Sequence, residues 1–161
     1  MPELKSLGEL KKHLQEKINN VLLNQTGEYI KEIELAFIDS LVYDSYEPTK
    51  YIRREENGGL KDPDNIEVRL EADGILVVSN NTPFSQEPIS ANQGNELIGL
   101  IEYGSGGYKD YTYEYISKSG DSPYTYPRPV ISETVEFVRE NLADDIEIGL
   151  RRLGLNVKRT K

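Results

Sequence analysis

The sequence predicts an α+β fold, with N-terminal helices and a long C-terminal helix packed on a small antiparallel sheet. Three observations carry this. Leu4, Leu7, Leu10, Leu14, Ile18, Val21 and Leu22 recur mostly at spacings of three and four, which is the signature of an amphipathic helix. Ile66, Val68 and Leu70 alternate with Glu67, Arg69 and Glu71, and Asp73-Gly74 follows at once, which is a strand entering a hairpin. Ile131, Val135, Val138, Leu142, Ile146, Leu150 and Leu153 form one apolar stripe near the C-terminus.

Taken in order, the first stripe places Lys11, Lys12, Glu16 and Lys17 on other faces of its helix. Asn24 to Gly27 interrupts it, and Thr26 is suited to cap a new start. Ile30, Ile33, Phe37, Ile38 and Leu41 resume the helical spacing over 27–43, as a second helix or as one helix kinked near Gly27. Residues 44–65 hold turn clusters, among them Asn57-Gly58-Gly59 and Asp62-Pro63-Asp64-Asn65, around an extended piece from Tyr51 to Arg54. After the hairpin turn, Ile75 to Val78 is a continuous apolar run, as expected of a strand buried on both faces. Glu96 to Tyr103 fits either a helix or a strand. Tyr111, Tyr113 and Tyr115 alternate with Thr112 and Glu114, favouring a strand with an aromatic face. In the last element, expected over 128–153, Glu133 and Glu136 lie near the positive end of the helix dipole. Arg151 and Arg152 lie near the negative end, and Gly154 is placed to end the helix. The expected organisation is a single domain over 1–161, with long loops at about 79–95 and 104–126 and a flexible basic C-terminal tail.

The 161 residues carry 19 Lys+Arg against 28 Asp+Glu, a formal charge of -9. That balance opposes general nucleic-acid binding, because phosphate contact needs a positive field. With no Cys, disulfide frameworks, thiolate zinc sites and cysteine nucleophiles drop out together. His13 is the one histidine; it lies among charged residues, so Ser-His-Asp chemistry and His-rich metal sites are not expected. Neither a membrane span nor a secretory signal fits the hydropathy pattern. The composition points to a soluble, acidic, intracellular domain without cofactor.

Several motifs admit chemistry. Gly104-Ser105-Gly106-Gly107 resembles a phosphate loop only superficially, since Tyr108-Lys109-Asp110 follows where a helix should begin. Asp62, Asp64, Asn65 and Glu67 offer oxygen ligands at short spacing suited to calcium, yet lack the glycine and distal Glu of a calcium-binding helix-loop-helix. Turn-forming Asx residues explain them more simply. Asp144, Asp145 and Glu147 fall on a helix as solvent-facing charges. Seven of the 11 tyrosines lie in 103–126, namely Tyr103, Tyr108, Tyr111, Tyr113, Tyr115, Tyr124 and Tyr126. They are either a sheet face under the last helix or a protein-contact surface, for which tyrosine supplies large area at small entropy cost.

Three segments together resemble a known family. They are Tyr51-Ile52-Arg53-Arg54 with Asn57-Gly58-Gly59-Leu60, then Leu100-Ile101-Glu102-Tyr103-Gly104-Ser105, then Arg128-Pro129-Val130-Ile131. Their order is similar to that in the neck, or tail-completion, minor structural proteins of long-tailed bacteriophages. In that family a Gly-x-Leu segment leads into a hairpin, a (Val/Ile)-Glu-(Phe/Tyr)-Gly-(Thr/Ser) motif follows, and Arg-Pro opens a helix. Here Ser105 replaces the commoner Thr, and Val130 and Ile131 replace a frequent aromatic residue. The resemblance implies a non-enzymatic virion protein, assembled with itself as a ring. That ring would join connector or head-closure proteins to the tail terminator or tail tube, with DNA passing the channel without specific binding and no membrane contact. It would be found in the virion neck, and in the host cytoplasm during assembly.

Arg53, Arg54, Glu102, Tyr103, Tyr108, Tyr111, Tyr113 and Arg128 are the anchor or interface candidates. Glu102, at the end of an apolar stretch, has two readings. It is an anchor accepting backbone N–H bonds or Arg53, Arg54 or Arg128, or with Tyr103 it meets a neighbouring subunit. The rival functions are a carboxylate-dependent hydrolase using Glu102 with a second carboxylate such as Asp110, and an inhibitory module presenting acidic surface to a basic partner.

Overall fold

A computed structural model describes residues 6–45, 53–83, 97–107 and 126–158. The first 37 residues described as helical are one uninterrupted arm. Helix α1 (Leu7–Val21) starts at Ser6, whose hydroxyl accepts the Glu9 N–H at 3.2 Å. It passes through a wide π-type turn, Leu22–Gly27, into α2 (Glu28–Ile38), and a second π-type turn, Asp39–Tyr43, closes the arm. Backbone angles stay helical across both junctions. Thr26 therefore caps no new helix, and there is no break at Gly27. The Thr26 hydroxyl instead donates to Asp145 Oδ2 at 2.7 Å, on the last helix.

Helix α3 (Leu97–Gly107) occupies the stretch that fitted either element. Leu97, Ile98, Leu100 and Ile101 are all buried there, so no polar face marks a period in the sequence. Helix α4 (Val130–Arg152) is continuous, and Gly154 ends it at φ +78° with its N–H on the Arg151 carbonyl. Leu142, in the middle of its stripe, is only half-buried.

Strands β1 (Ile66–Leu70) and β2 (Leu76–Asn80) pair antiparallel, with Ile66 opposite Asn80 and Leu70 opposite Leu76. The alternation of β1 holds: Ile66 is buried, Val68 and Leu70 are half-buried, Glu67 and Arg69 are exposed. The partner strand is not buried on both faces. Ile75 lies in the connecting turn at 54% exposure, and Leu76 to Val78 are half-buried. Ser79 and Asn80 belong to β2 rather than to the loop expected from residue 79, and the loop expected from 104 begins no earlier than the end of α3. The strand expected at Tyr111–Tyr115, the extended piece at Tyr51 and Ile52, and most of both long loops lie outside the described residues.

The arm is the middle layer. Helix α4 packs along one side of it, while the hairpin packs on the first π-type turn and α2. The expectation that α4 lies on the sheet is corrected accordingly. The π-type turn serves both neighbours: Gln25 and Thr26 bond Asp145, while Gly27 faces β1 so closely that a Cβ there would stand 2.2 Å from Val68 Cγ1. Run against α4, the arm is antiparallel. Lys17 Nζ donates to the Leu153 carbonyl, Val21 packs at Gly149, Gln25 bonds Asp145, and Phe37 meets Phe137 edge to face at 6.3 Å.

Asn80, Glu34 and Thr82 form a buried polar junction between hairpin and arm. Asn80 Nδ2 donates to Glu34 Oε1 at 2.9 Å, and the Thr82 hydroxyl donates to Asn80 Oδ1 at 2.6 Å. Burial pushes the Glu34 carboxyl above the usual carboxylate range, and the Asn80 bond offsets this only in part. The folded chain thus holds this proton more tightly than the unfolded one. Between the ordinary and the raised pKa, the Glu34 contribution to stability increases as pH falls and is lost as pH rises. Glu34→Gln keeps an oxygen for Asn80 and removes the buried charge. It should stabilise the protein at neutral pH by on the order of 1 kcal/mol and flatten that part of the pH profile. Thermal melts at several pH values check this; a destabilised variant with an unchanged slope would refute it.

Candidate functional site

Three of the segments singled out in the sequence converge. Leu60, Ile101 and Val130 belong to one buried cluster with Ile38, Val42, Leu97 and Ile98. Each comes from a different motif: Gly58-Gly59-Leu60, Ile101-Glu102-Tyr103-Gly104, and Arg128-Pro129-Val130. The chain is tied around this cluster by backbone bonds. Leu97 N–H donates to the Thr82 carbonyl and Arg128 N–H to the Ile101 carbonyl, both at 2.8 Å. Gly59 supplies a carbonyl that accepts Asp62 N–H and Asn65 Nδ2.

Glu102 sits at the centre. Its carboxylate accepts the Ile131 N–H at 2.8 Å on one oxygen and the Ser132 N–H at 3.1 Å on the other, which also takes the Ser132 hydroxyl at 2.5 Å. Helix N-termini leave their first N–H groups without intrahelical partners, and a Ser, Thr, Asp or Asn at the cap position ordinarily accepts one. The cap position of α4 is Pro129, which has no such side chain. Glu102, from α3, fills the role across the fold, and its negative charge lies at the positive end of the α4 dipole. Glu102 is 6% exposed and Tyr103, its neighbour, 61%. The carboxylate thus ties α3 to the start of α4, while the tyrosine faces outward.

Gly104 explains why the motif needs glycine. Its φ of 66° and ψ of 178° break α3 right after Tyr103, in a region that essentially only glycine adopts. The break leaves Glu102 on the last ordinary turn of α3, aimed at α4.

Arg53 and Arg54 serve other ends of the fold. Arg53 donates to the Tyr43 carbonyl at 2.9 Å and its guanidinium lies 4.8 Å over the Tyr43 ring; Arg54 donates to the Pro83 carbonyl at 2.5 Å. They hold the chain after residue 52 to the end of the arm and to the exit of the hairpin. Lys61 pairs with Asp39 at 2.7 Å, a bond that raises the Lys61 pKa, and burial raises that of the Tyr43 hydroxyl. The site that the sequence spread over several residues is thus a structural junction. Pro129, a helix start without a capping side chain, was the signal for Glu102's partner. Tyr108, Tyr111 and Tyr113 lie outside the described residues.

The other chemical candidates resolve as turns and helix contacts. Asp62 accepts the Asp64 N–H on Oδ1 and the Gly58 N–H on Oδ2, so its carboxylate stabilises the turn. Asp145, expected to face solvent, takes bonds from Gln25 and Thr26; Glu147 pairs with Arg151. Among the described residues, no group of three His, Asp or Glu side chains is placed to hold a metal ion, and no helix is long and apolar enough to cross a membrane.

The junction has one consequence for the Tyr-rich segment. The Ile101–Arg128 and Glu102–Ile131 bonds tie the chain together on either side of residues 108–125, which lie outside the described residues.

No curated protein and no solved structure matches the chain significantly. A family model does: that of YomN, over residues 6–152, which takes in all three motifs and every described helix and strand. The chain belongs to the YomN family, a phage-derived family.

Proposed function

We propose that this protein is a non-enzymatic structural component of the phage neck. In this reading it assembles as a ring and completes the tail by joining the head connector to it. The observation that carries the proposal is the convergence of the three neck-like motifs on one junction, with Glu102 of the second capping the Arg-Pro helix of the third. Motifs that merely coincided by chance would have no reason to meet. Membership of a phage-derived family supports the same reading. So does the net charge of -9: copies arranged around a channel would repel DNA and let it slide. The partners are then further copies, connector or head-closure proteins on one side, and tail terminator or tube proteins on the other.

The test is genetic and visual. Removing the gene from the phage or prophage that encodes it should leave filled heads and complete tails unjoined, and expression in trans should rejoin them. Antibody-labelled virions should carry label at the neck in electron micrographs. Normal virions from the deletion, or label elsewhere, would remove the proposal.

A further inference from the structure

The fold separates charge along α4. The bond from Lys17 Nζ to the Leu153 carbonyl sets α1 beside the end of that helix. Lys11, Lys12 and Lys17 of α1 stand there with Arg151, Arg152 and Lys158, six positive charges against the three of Glu9, Glu16 and Glu147. Of the six, all but Lys17 are exposed. The preceding part of α4, residues 130–144, reverses the balance, with Arg139 against Glu133, Glu136, Glu140 and Asp144. Those four acids are exposed and follow one another at spacings of three, four and four, so they line one face of the helix. Val130, Thr134, Val138 and Gly149 mark its buried face, and at about 100° per residue the acidic row points away from them. Glu136 with Glu140, and Glu140 with Asp144, are like-charge neighbours four residues apart, an arrangement that weakens a helix. A cationic partner turns that cost into attraction.

We propose that the basic pole of one copy docks on the acidic row of the next. The proposal deepens the neck reading and rests on its ring. Distance places the contact between copies rather than within one. Glu136 and Glu140 lie 15 and 11 residues before Arg151 on the same helix, about 22 and 17 Å at 1.5 Å per residue. The screening length at physiological salt is only about 8 Å. Lys11 and Lys12 are farther still, because α1 runs antiparallel to α4 and they lie beyond Lys17.

A positive pole at one end and a negative row along the other part form a heterologous pair, the kind that closes into rings. Other exposed acids offer no such row: Glu67 and Glu71 pair with Arg69, and Glu28 and Glu32 flank Lys31 on α2. Duplex DNA would also meet the pole through charge. Yet the pole neutralises few phosphates and belongs to a chain at -9, so duplex binding at physiological salt is weak. The acidic row of a second copy matches the pole in size and sign.

Charge reversal tests the contact. At low salt and high concentration the wild type should sediment as oligomers that dissociate as salt is raised. Lys11→Glu with Lys12→Glu turns the pole acidic, and Glu136→Lys with Glu140→Lys turns the row basic. Each double variant alone should self-associate at least about tenfold more weakly. All four positions are exposed, so thermal midpoints should stay near that of the wild type. Glu136→Gln with Glu140→Gln should weaken assembly too, and serves if the Lys pair unfolds. Mixed in equal amounts, the two reversed proteins should assemble again, because each supplies the surface the other lacks. A wild type that stays monomeric, variants that assemble as the wild type does, or folded variants that fail to complement would each overturn the contact. A Lys11→Glu, Lys12→Glu protein that loses only its retardation of a DNA duplex in gels, and still assembles, would do so in favour of DNA. Neck label on virions without complementation removes this contact and leaves the neck role; complementation without neck label does the reverse.

Discussion

Gly59→Ala should lower stability by about 3 kcal/mol, a fall in Tm of roughly 6–12 °C for a chain of this size. A Cβ at Gly59 would stand 2.5 Å from the Glu55 carbonyl oxygen and 2.6 Å from its nitrogen. Both are main-chain atoms, so no rotamer change can relieve the overlap. Glu55 itself has φ of 49°, a left-handed conformation uncommon for a side-chain-bearing residue. It turns the chain back on itself, and Asn57 N–H closes the turn on the Arg54 carbonyl at 2.8 Å. Opening that turn would also displace the Gly59 carbonyl from Asp62 and Asn65, and Leu60 from the core. The neighbouring Gly58 is the control. Its φ is +77° with nothing within 4 Å of a Cβ, so Gly58→Ala should cost only about 1 kcal/mol in backbone strain. Urea and thermal unfolding of both variants decide the matter, and equal losses would show that the close approach has been misassigned.

Those two glycines show where sequence reading stops. Both stand in a turn-rich segment, and the sequence alone gives no hint that the one with ordinary φ is the less replaceable. The regular elements were far more legible. Ile66, Val68 and Leu70 face one neighbour and water on the other side, so their alternation survives in the residues. The stripe from Ile131 to Leu153 survives for the same reason. The first π-type turn showed only as the interruption at Asn24 to Gly27, because one extra residue per turn shifts the apolar stripe while the backbone stays helical. Leu97 to Ile101 stayed ambiguous because the four apolar side chains of that stretch are all buried, and a run apolar on every face has no period to read. Helix α4 was expected on the sheet, yet the arm lies between them; an apolar stripe names a buried face and not its partner. Asp145 read as a solvent charge because its bonds come from Gln25 and Thr26, 120 and 119 residues away. For the junction, the role of Glu102 as an anchor was legible from its place before a glycine. Backbone N–H groups were among its expected donors, but which ones they are was marked only by Pro129, a helix start without a capping side chain.

Glu102→Ala should destabilise the protein by about 3 kcal/mol, because it removes a charged acceptor and strands donors at the start of α4. The Ile131 and Ser132 N–H groups lie where the helix cannot satisfy them, and Pro129 offers no substitute. Glu102→Gln should fall between, at about 1–2 kcal/mol: one oxygen remains to accept, but the amide NH2 must face donors and the dipole loses its anion. Tyr103→Ser is the contrasting change. At 61% exposure it should alter stability by no more than about 0.5 kcal/mol. If the tyrosine meets another subunit in the neck, the same variant should nevertheless reduce joining of tails to filled heads. The Glu102 variants carry a second signature that a general loss of packing does not. Hydrogen exchange should quicken first at Ile131 and Ser132, at the amides the carboxylate holds, ahead of the middle of α4. Uniform acceleration along the whole helix, or a Glu102→Ala midpoint equal to that of the wild type, would show that the carboxylate does not hold α3 to α4.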